Sequence, residues 1–174
     1  MKFLIEYTDT ADQKILIYDI EYCSFDTEPT VREINFDVVI NKLNLTAIDD
    51  DNKIVQVWGF CGYNEWIKSR YEAPERKKGT LKILDDLESG IGSFSINKED
   101  VPMYVNVQTG WLCIGNPEKK GNAVEFINNC VAVIDDDKEF ISLWLKPCPF
   151  PVLSRPRECH GGLLRRVFFL NNRK

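Results

Sequence analysis

Histidine occurs once in the 174 residues, at His160, and methionine only twice. An imidazole-based triad or dyad would have to use His160, which lies in Arg157-Glu158-Cys159-His160-Gly161-Gly162 near the C-terminal end. Gly-x-Ser-x-Gly and His-Glu-x-x-His are missing, and the glycine clusters Gly59-Phe60-Cys61-Gly62 and Gly90-Ile91-Gly92-Ser93 complete no dinucleotide or phosphate-loop signature. Both read as turns. No run approaches the roughly 20 apolar residues of a membrane span. The six cysteines (Cys23, Cys61, Cys113, Cys130, Cys148, Cys159) are scattered singly, without a Cys-x-x-Cys pair, and Met1–Tyr7 is too charged and short for a secretory leader. Reduced, mostly buried thiols in a cytoplasmic protein are therefore expected. Cys148, Cys159 and His160 match no usual zinc spacing, so no metal or other cofactor is expected.

What is present fits an ordinary globular chain, with 44% hydrophobic and 28% charged residues. At this length about 70% of the unfolded surface is buried on folding, so no staple is needed. The charge is lopsided. Residues 146–174 carry seven basic side chains against Glu158 alone, or +6, while residues 1–145 hold 15 basic and 26 acidic ones, or −11. An acidic single domain over 1–146 followed by a basic, proline-containing arm over 147–174 is expected. The acidic body disfavours nucleic acid and anionic membrane as partners.

The most informative pattern is a repeat. Ile48-Asp49-Asp50-Asp51-Asn52-Lys53-Ile54-Val55-Gln56-Val57-Trp58 and Ile134-Asp135-Asp136-Asp137-Lys138-Glu139-Phe140-Ile141-Ser142-Leu143-Trp144 are identical at five of eleven positions. Each follows an apolar run, so each reads as a hairpin whose aspartates bond their own backbone in the turn. The copies lie 86 residues apart, about half the chain. Duplication and chance recurrence both stay open. The Asp triplets lack the alternating register and distal Glu of an EF-hand loop, so they read as solvated turns or as a partner-facing acidic patch.

Residues 2–7 and 14–22 read as a hairpin, about 31–40 as a strand, and 101–109 with 110–115 as two strands or one bent at Gly110. Residues 64–71 and 122–129 read as short helical turns. Over 80–90, Leu81, Leu84 and Leu87 suit a helix capped by Thr80, although Leu81 and Ile83 also alternate as in a strand. The expected fold class is α+β, a predominantly antiparallel hairpin meander with one or two short helices. Trp66 follows Asn64-Glu65 in a polar, glycine-flanked stretch, which suggests an exposed indole beside carboxylates, the composition of an interface anchor; a core position is the simpler alternative.

Thr109-Gly-Trp-Leu-Cys-Ile-Gly115, Asn122-Ala-Val-Glu-Phe-Ile127, Ile134-Asp135-Asp136-Asp137 and Trp144-Leu-Lys-Pro147 resemble small bacterial immunity proteins of polymorphic-toxin and contact-dependent inhibition systems. The resemblance implies a cytoplasmic, non-enzymatic protein that binds and blocks a cognate toxin domain, and it implies no architecture. A basic, nuclease-type partner would suit the acidic body. Its contacts are expected at Asp49, Asp50, Asp51, Glu65, Trp66, Asp135, Asp136 and Asp137. The competing expectations are a small enzyme working through carboxylates or cysteine, and a subunit docking through its C-terminal arm.

Overall fold

The computed structural model describes residues 1–48, 50–88 and 92–151. Strand β1 (Phe3–Tyr7) is followed by the hairpin β2 (Ile15–Asp19) and β3 (Ser24–Glu28), then by a meander of β4 (Phe36–Ile40), β5 (Leu43–Ile48) and β6 (Lys53–Phe60). A 3-10 turn at Tyr63–Glu65 and the short β7 (Ile67–Lys68) lead into β8 (Lys77–Ile83) and β9 (Ser93–Ser95). Then come the hairpin β10 (Met103–Asn106) and β11 (Trp111–Gly115) and a second meander, β12 (Asn122–Ile127), β13 (Cys130–Ile134) and β14 (Phe140–Leu145). The strands join in one curled mixed sheet of order β7-β10-β11-β14-β13-β12-β8-β6-β5-β4-β9, with β1 on β8 and the β2–β3 hairpin attached to β6. The pairs β7/β10, β8/β12 and β4/β9 are parallel, so the expected antiparallel pairing holds within the two meanders and across β1/β8 and β6/β8 but not throughout the sheet.

The expected helices are corrected. Residues 122–127 and 77–83 are strands, and the 3-10 turn is the one helical element among the described residues. In β8 the period-two alternative wins, because Gly79, Leu81 and Ile83 are buried while Thr80 and Lys82 are half-buried. Leu84, which the helical spacing would bury, is 44% exposed. In β12 the run Ala123, Val124, Phe126, Ile127 is buried on both faces, a pattern that erases the alternation from which a strand is recognised. The expected hairpin of 2–7 with 14–22 does not form: β1 pairs with β8 and β2 with β3.

The two halves are built alike and exchange parts. The Asp19 carboxylate accepts N–H bonds from Glu21 and Tyr22, and 87 residues later the Asn106 side-chain oxygen accepts them from Gln108 and Thr109. Cys23 and Gly110, again 87 apart, both turn with positive φ (51° and 80°). So do Asn52 and Lys138, at 55° and 66°, each in an acidic turn. The Asn52 carbonyl accepts the Ile83 N–H at 3.1 Å from the second half, and the Lys138 carbonyl accepts the Phe3 N–H at 2.8 Å from the first. Likewise Asp12 N–H bonds to the Phe126 carbonyl and Ile96 N–H to the Val39 carbonyl. The repeated hairpin legible in the sequence is thus one part of a repeat spanning both halves, which supports the duplication reading.

The main core lies between the meanders and includes Phe25, Val38, Leu45, Leu81, Phe126 and Leu143. A smaller cluster of Trp111, Cys113, Val131, Val133, Ile141 and Trp144 fills the other face of the second meander, covered by Tyr71 and Ala73. That covering strap is tied down by Ser69 N–H to the Val105 carbonyl (2.8 Å) and Arg76 to Glu125 (3.2 Å). Gly79 is needed where β8 passes from β12 to β1, because a Cβ there would meet the Glu6 carbonyl and the Val124 side chain. The described start of the expected arm is bound to the body: Cys148 N–H donates to the Leu16 carbonyl at 3.0 Å, and Phe150 lies against Gly110.

Candidate functional site: two acidic turns and a cleft

The exchange of β1 and β8 sets the two Asp-rich turns side by side. Asn52, Ile83, Phe3 and Lys138 lie on four successive hydrogen-bonded segments, so three interstrand spacings separate the turns, about 14 Å. Asp50, Asp51, Asp136 and Asp137 are exposed, and Asp135 is half-buried. Asp49 lies outside the described residues.

Lysines sit between these carboxylates. Lys82 Nζ reaches Asp51 at 2.5 Å and Glu6 at 2.7 Å. In the corresponding place Lys2 Nζ donates to the Asp137 carbonyl at 2.7 Å and to Glu139 at 3.1 Å. The hydrogen bond from Lys82 holds the Asp51 carboxyl below its usual range, and that from Lys119, at 2.8 Å, does the same for Asp135. Asp136 accepts from the Asn122 amide. The turns are thus internally braced, with Asp50, Asp136 and Asp137 facing solvent.

Glu65 and Trp66 are not brought to this end. They follow the far end of β6, whose eight residues span about 23 Å. Glu65 is exposed and pairs with Lys42 at 3.7 Å. Trp66 is only 8% exposed, packs against Tyr18, Phe25 and Tyr63, and directs its indole N–H to Cys61 Sγ. The exposed-anchor reading of Trp66 is therefore corrected to a core position. Packing of Trp66 against Tyr18 and Phe25 of the β2–β3 hairpin, a tertiary event, decides this.

Burial also removes three thiols from chemistry. It pushes the Cys61 and Cys113 thiols up to about 12, and Cys130 well above its usual value. Cys148 is exposed and free. Cys23 is disulfide-bonded, which corrects the expectation of six reduced thiols. Cys159 and His160 lie outside the described residues.

Beside the second acidic turn the structure opens a cleft of about 400 Å³, which the sequence reading missed. Its walls include Tyr71 from the strap, Asn97, Tyr104 of β10, and Asn116, Pro117 and Glu118 of the turn after β11. The Asn116 side-chain oxygen accepts the N–H groups of Glu118 and Lys119, which fixes this turn. Tyr71 donates its hydroxyl to Glu118 at 3.0 Å and meets the Tyr104 ring edge-to-face at 5.4 Å. The Asn-Pro turn is the one local signal that marks the place. The tyrosines that complete it come from segments about 30 residues apart in the chain.

Among the described residues no cluster of three or more His, Cys, Asp or Glu side chains could hold a metal ion. No described helix is long and apolar enough to cross a membrane. In comparisons with known proteins, no family model and no curated protein matches the chain.

Proposed function

We propose that the chain is a non-enzymatic, cytoplasmic protein-binding module that presents its acidic end to one basic partner, in the manner of an immunity protein neutralising a toxin domain. The observation that carries the reading is the meeting of two Asp-rich turns from opposite halves at one end. Their braced backbones hold Asp50, Asp136 and Asp137 toward solvent, so little ordering is required on binding. Clustered negative charge of this kind accelerates encounter with a positive surface and rejects negative ones. Among the described residues the cysteine form of the enzyme alternative is narrowed to the exposed Cys148, since Cys61, Cys113 and Cys130 are buried and their thiols pushed up. The disulfide at Cys23 takes away the thiol argument for a cytoplasmic site, which rests on the resemblance alone.

The test is capture of partners on the tagged 174-residue chain, washed from about 50 mM to about 500 mM salt. One basic protein is expected, with an on-rate that falls steeply with salt. An on-rate unchanged by salt, or by Asp50→Asn with Asp136→Asn and Asp137→Asn, would overturn the acidic-end reading.

A further inference from the structure

We propose that the cleft beside the second acidic turn is a receptor for a cationic side chain, the ammonium of lysine or the guanidinium of arginine, carried by a protein partner. The inference deepens the proposed function and rests on it. The volume of about 400 Å³ falls within the range of sites that enclose small ligands.

The wall chemistry selects the charge. Glu118 is the single charged side chain among the residues that line the cleft. Its Oε1 accepts the Tyr71 hydroxyl, which orients the carboxylate and leaves Oε2 for a second donor. The rings of Tyr71 and Tyr104, packed edge-to-face at 82° to each other, both line the cleft. A carboxylate beside aromatic faces attracts a cation and repels an anion. Among the described residues no group of three or more His, Cys, Asp or Glu side chains is placed to hold a metal ion.

Two nearby cations of the chain are committed elsewhere. Lys119 points to Asp135 at 2.8 Å, and Arg76 is held by Glu125 at 3.2 Å with its guanidinium 4.9 Å from the Trp111 ring centre. In the first half, the place that corresponds to the cleft already holds a cation. Val55, the counterpart of Ile141 in the cleft wall, has its carbonyl capped by Lys14 Nζ at 2.5 Å, and Lys14 also pairs with Asp12 at 3.6 Å. In the second half Asn116 donates its N–H to the Ile141 carbonyl at 3.2 Å, whereas Pro29, 87 residues earlier, has no N–H to give. Lys14 is replaced in the second half by Val101, and the space stays open to an outside cation.

The experiment is titration of the isotope-labelled full chain with N-acetyl-lysine amide and N-acetyl-arginine amide, followed by amide NMR, with N-acetyl-glutamine amide as the neutral control. Saturable shifts centred on Tyr71, Tyr104, Asn116 and Glu118 are expected with the cationic probes alone. Glu118→Gln should weaken them at least fivefold with the rest of the spectrum unchanged. Equal shifts with the neutral probe, shifts confined to the acidic turns, or indifference to Glu118→Gln would overturn the proposal. Capture separates the two readings. A partner held in a salt-dependent way by both the native chain and Glu118→Gln would sink the cleft and leave the acidic end standing.

Discussion

Phe3 and Ile83 stand opposite each other on β1 and β8, and each gives its backbone N–H to a turn carbonyl of the other half, at 2.8 and 3.1 Å. The pair is the crossing point of two interlocked units. Neither unit contains the strand that closes its own acidic hairpin.

Interlocking makes folding all-or-none. Residues 1–76 alone lose β8, the partner of β1, and β9, the outer partner of β4, and residues 77–174 lose β1 and β6 from β8, β4 from β9 and β7 from β10. Each fragment should give the collapsed amide spectrum of an unfolded chain, while co-expression of both should yield a soluble complex with native dispersion. A well-dispersed spectrum for 1–76 alone would refute the exchange.

The Lys82 brace predicts an acid effect of definite sign. Because Asp51 has a lowered carboxyl pKa in the folded chain, its contribution is present above the usual carboxylate range and is lost as pH falls from that range through the folded value. Lys82→Met should leave stability at neutral pH reduced and flatten its fall below about pH 4, as read from urea midpoints along a pH series. An acid limb of unchanged slope would remove Lys82 from that role.

Trp66 should behave as a core residue. Trp66→Ala is expected to lower unfolding free energy by about 3–5 kcal/mol, and Trp66→Phe by much less. Partner affinity per folded molecule should be unchanged in Trp66→Phe. A large loss of affinity at native stability would return Trp66 to the interface.

The thiols offer a direct reading of burial. Brief alkylation followed by peptide mass mapping should modify Cys148 and spare Cys61, Cys113 and Cys130, which react only after denaturation. Rapid labelling of Cys113 in the folded chain would contradict its burial between Trp111 and Trp144.

Legibility in the sequence followed sequence distance. The acidic hairpins and the strands of 101–115 were readable because their turns, Asp-rich or broken at Gly110, are local chemistry. The identity of β8 was not, since Leu81, Leu84 and Leu87 satisfy a helical period as well as Leu81 and Ile83 satisfy a strand, and the choice is made by β1, 80 residues away at the Phe3–Ile83 end of the ladder and 72 at the Tyr7–Gly79 end. Of the candidate residues, the two turns were found and their meeting was not, because it depends on Phe3 and Ile83. The cleft was invisible for the same reason: Tyr71, Tyr104 and Glu118 share no local pattern.

The Pro29-for-Asn116 difference has a consequence for stoichiometry. A scaffold made of two like units would ordinarily offer two like receptors, and the chain would then carry two partners or clamp one twice. Here Lys14 caps the Val55 carbonyl in the first half, while the corresponding Ile141 carbonyl takes the Asn116 N–H in the second. On the proposed reading the doubled scaffold thereby has a direction, with one orientation in which a partner's cation would be received.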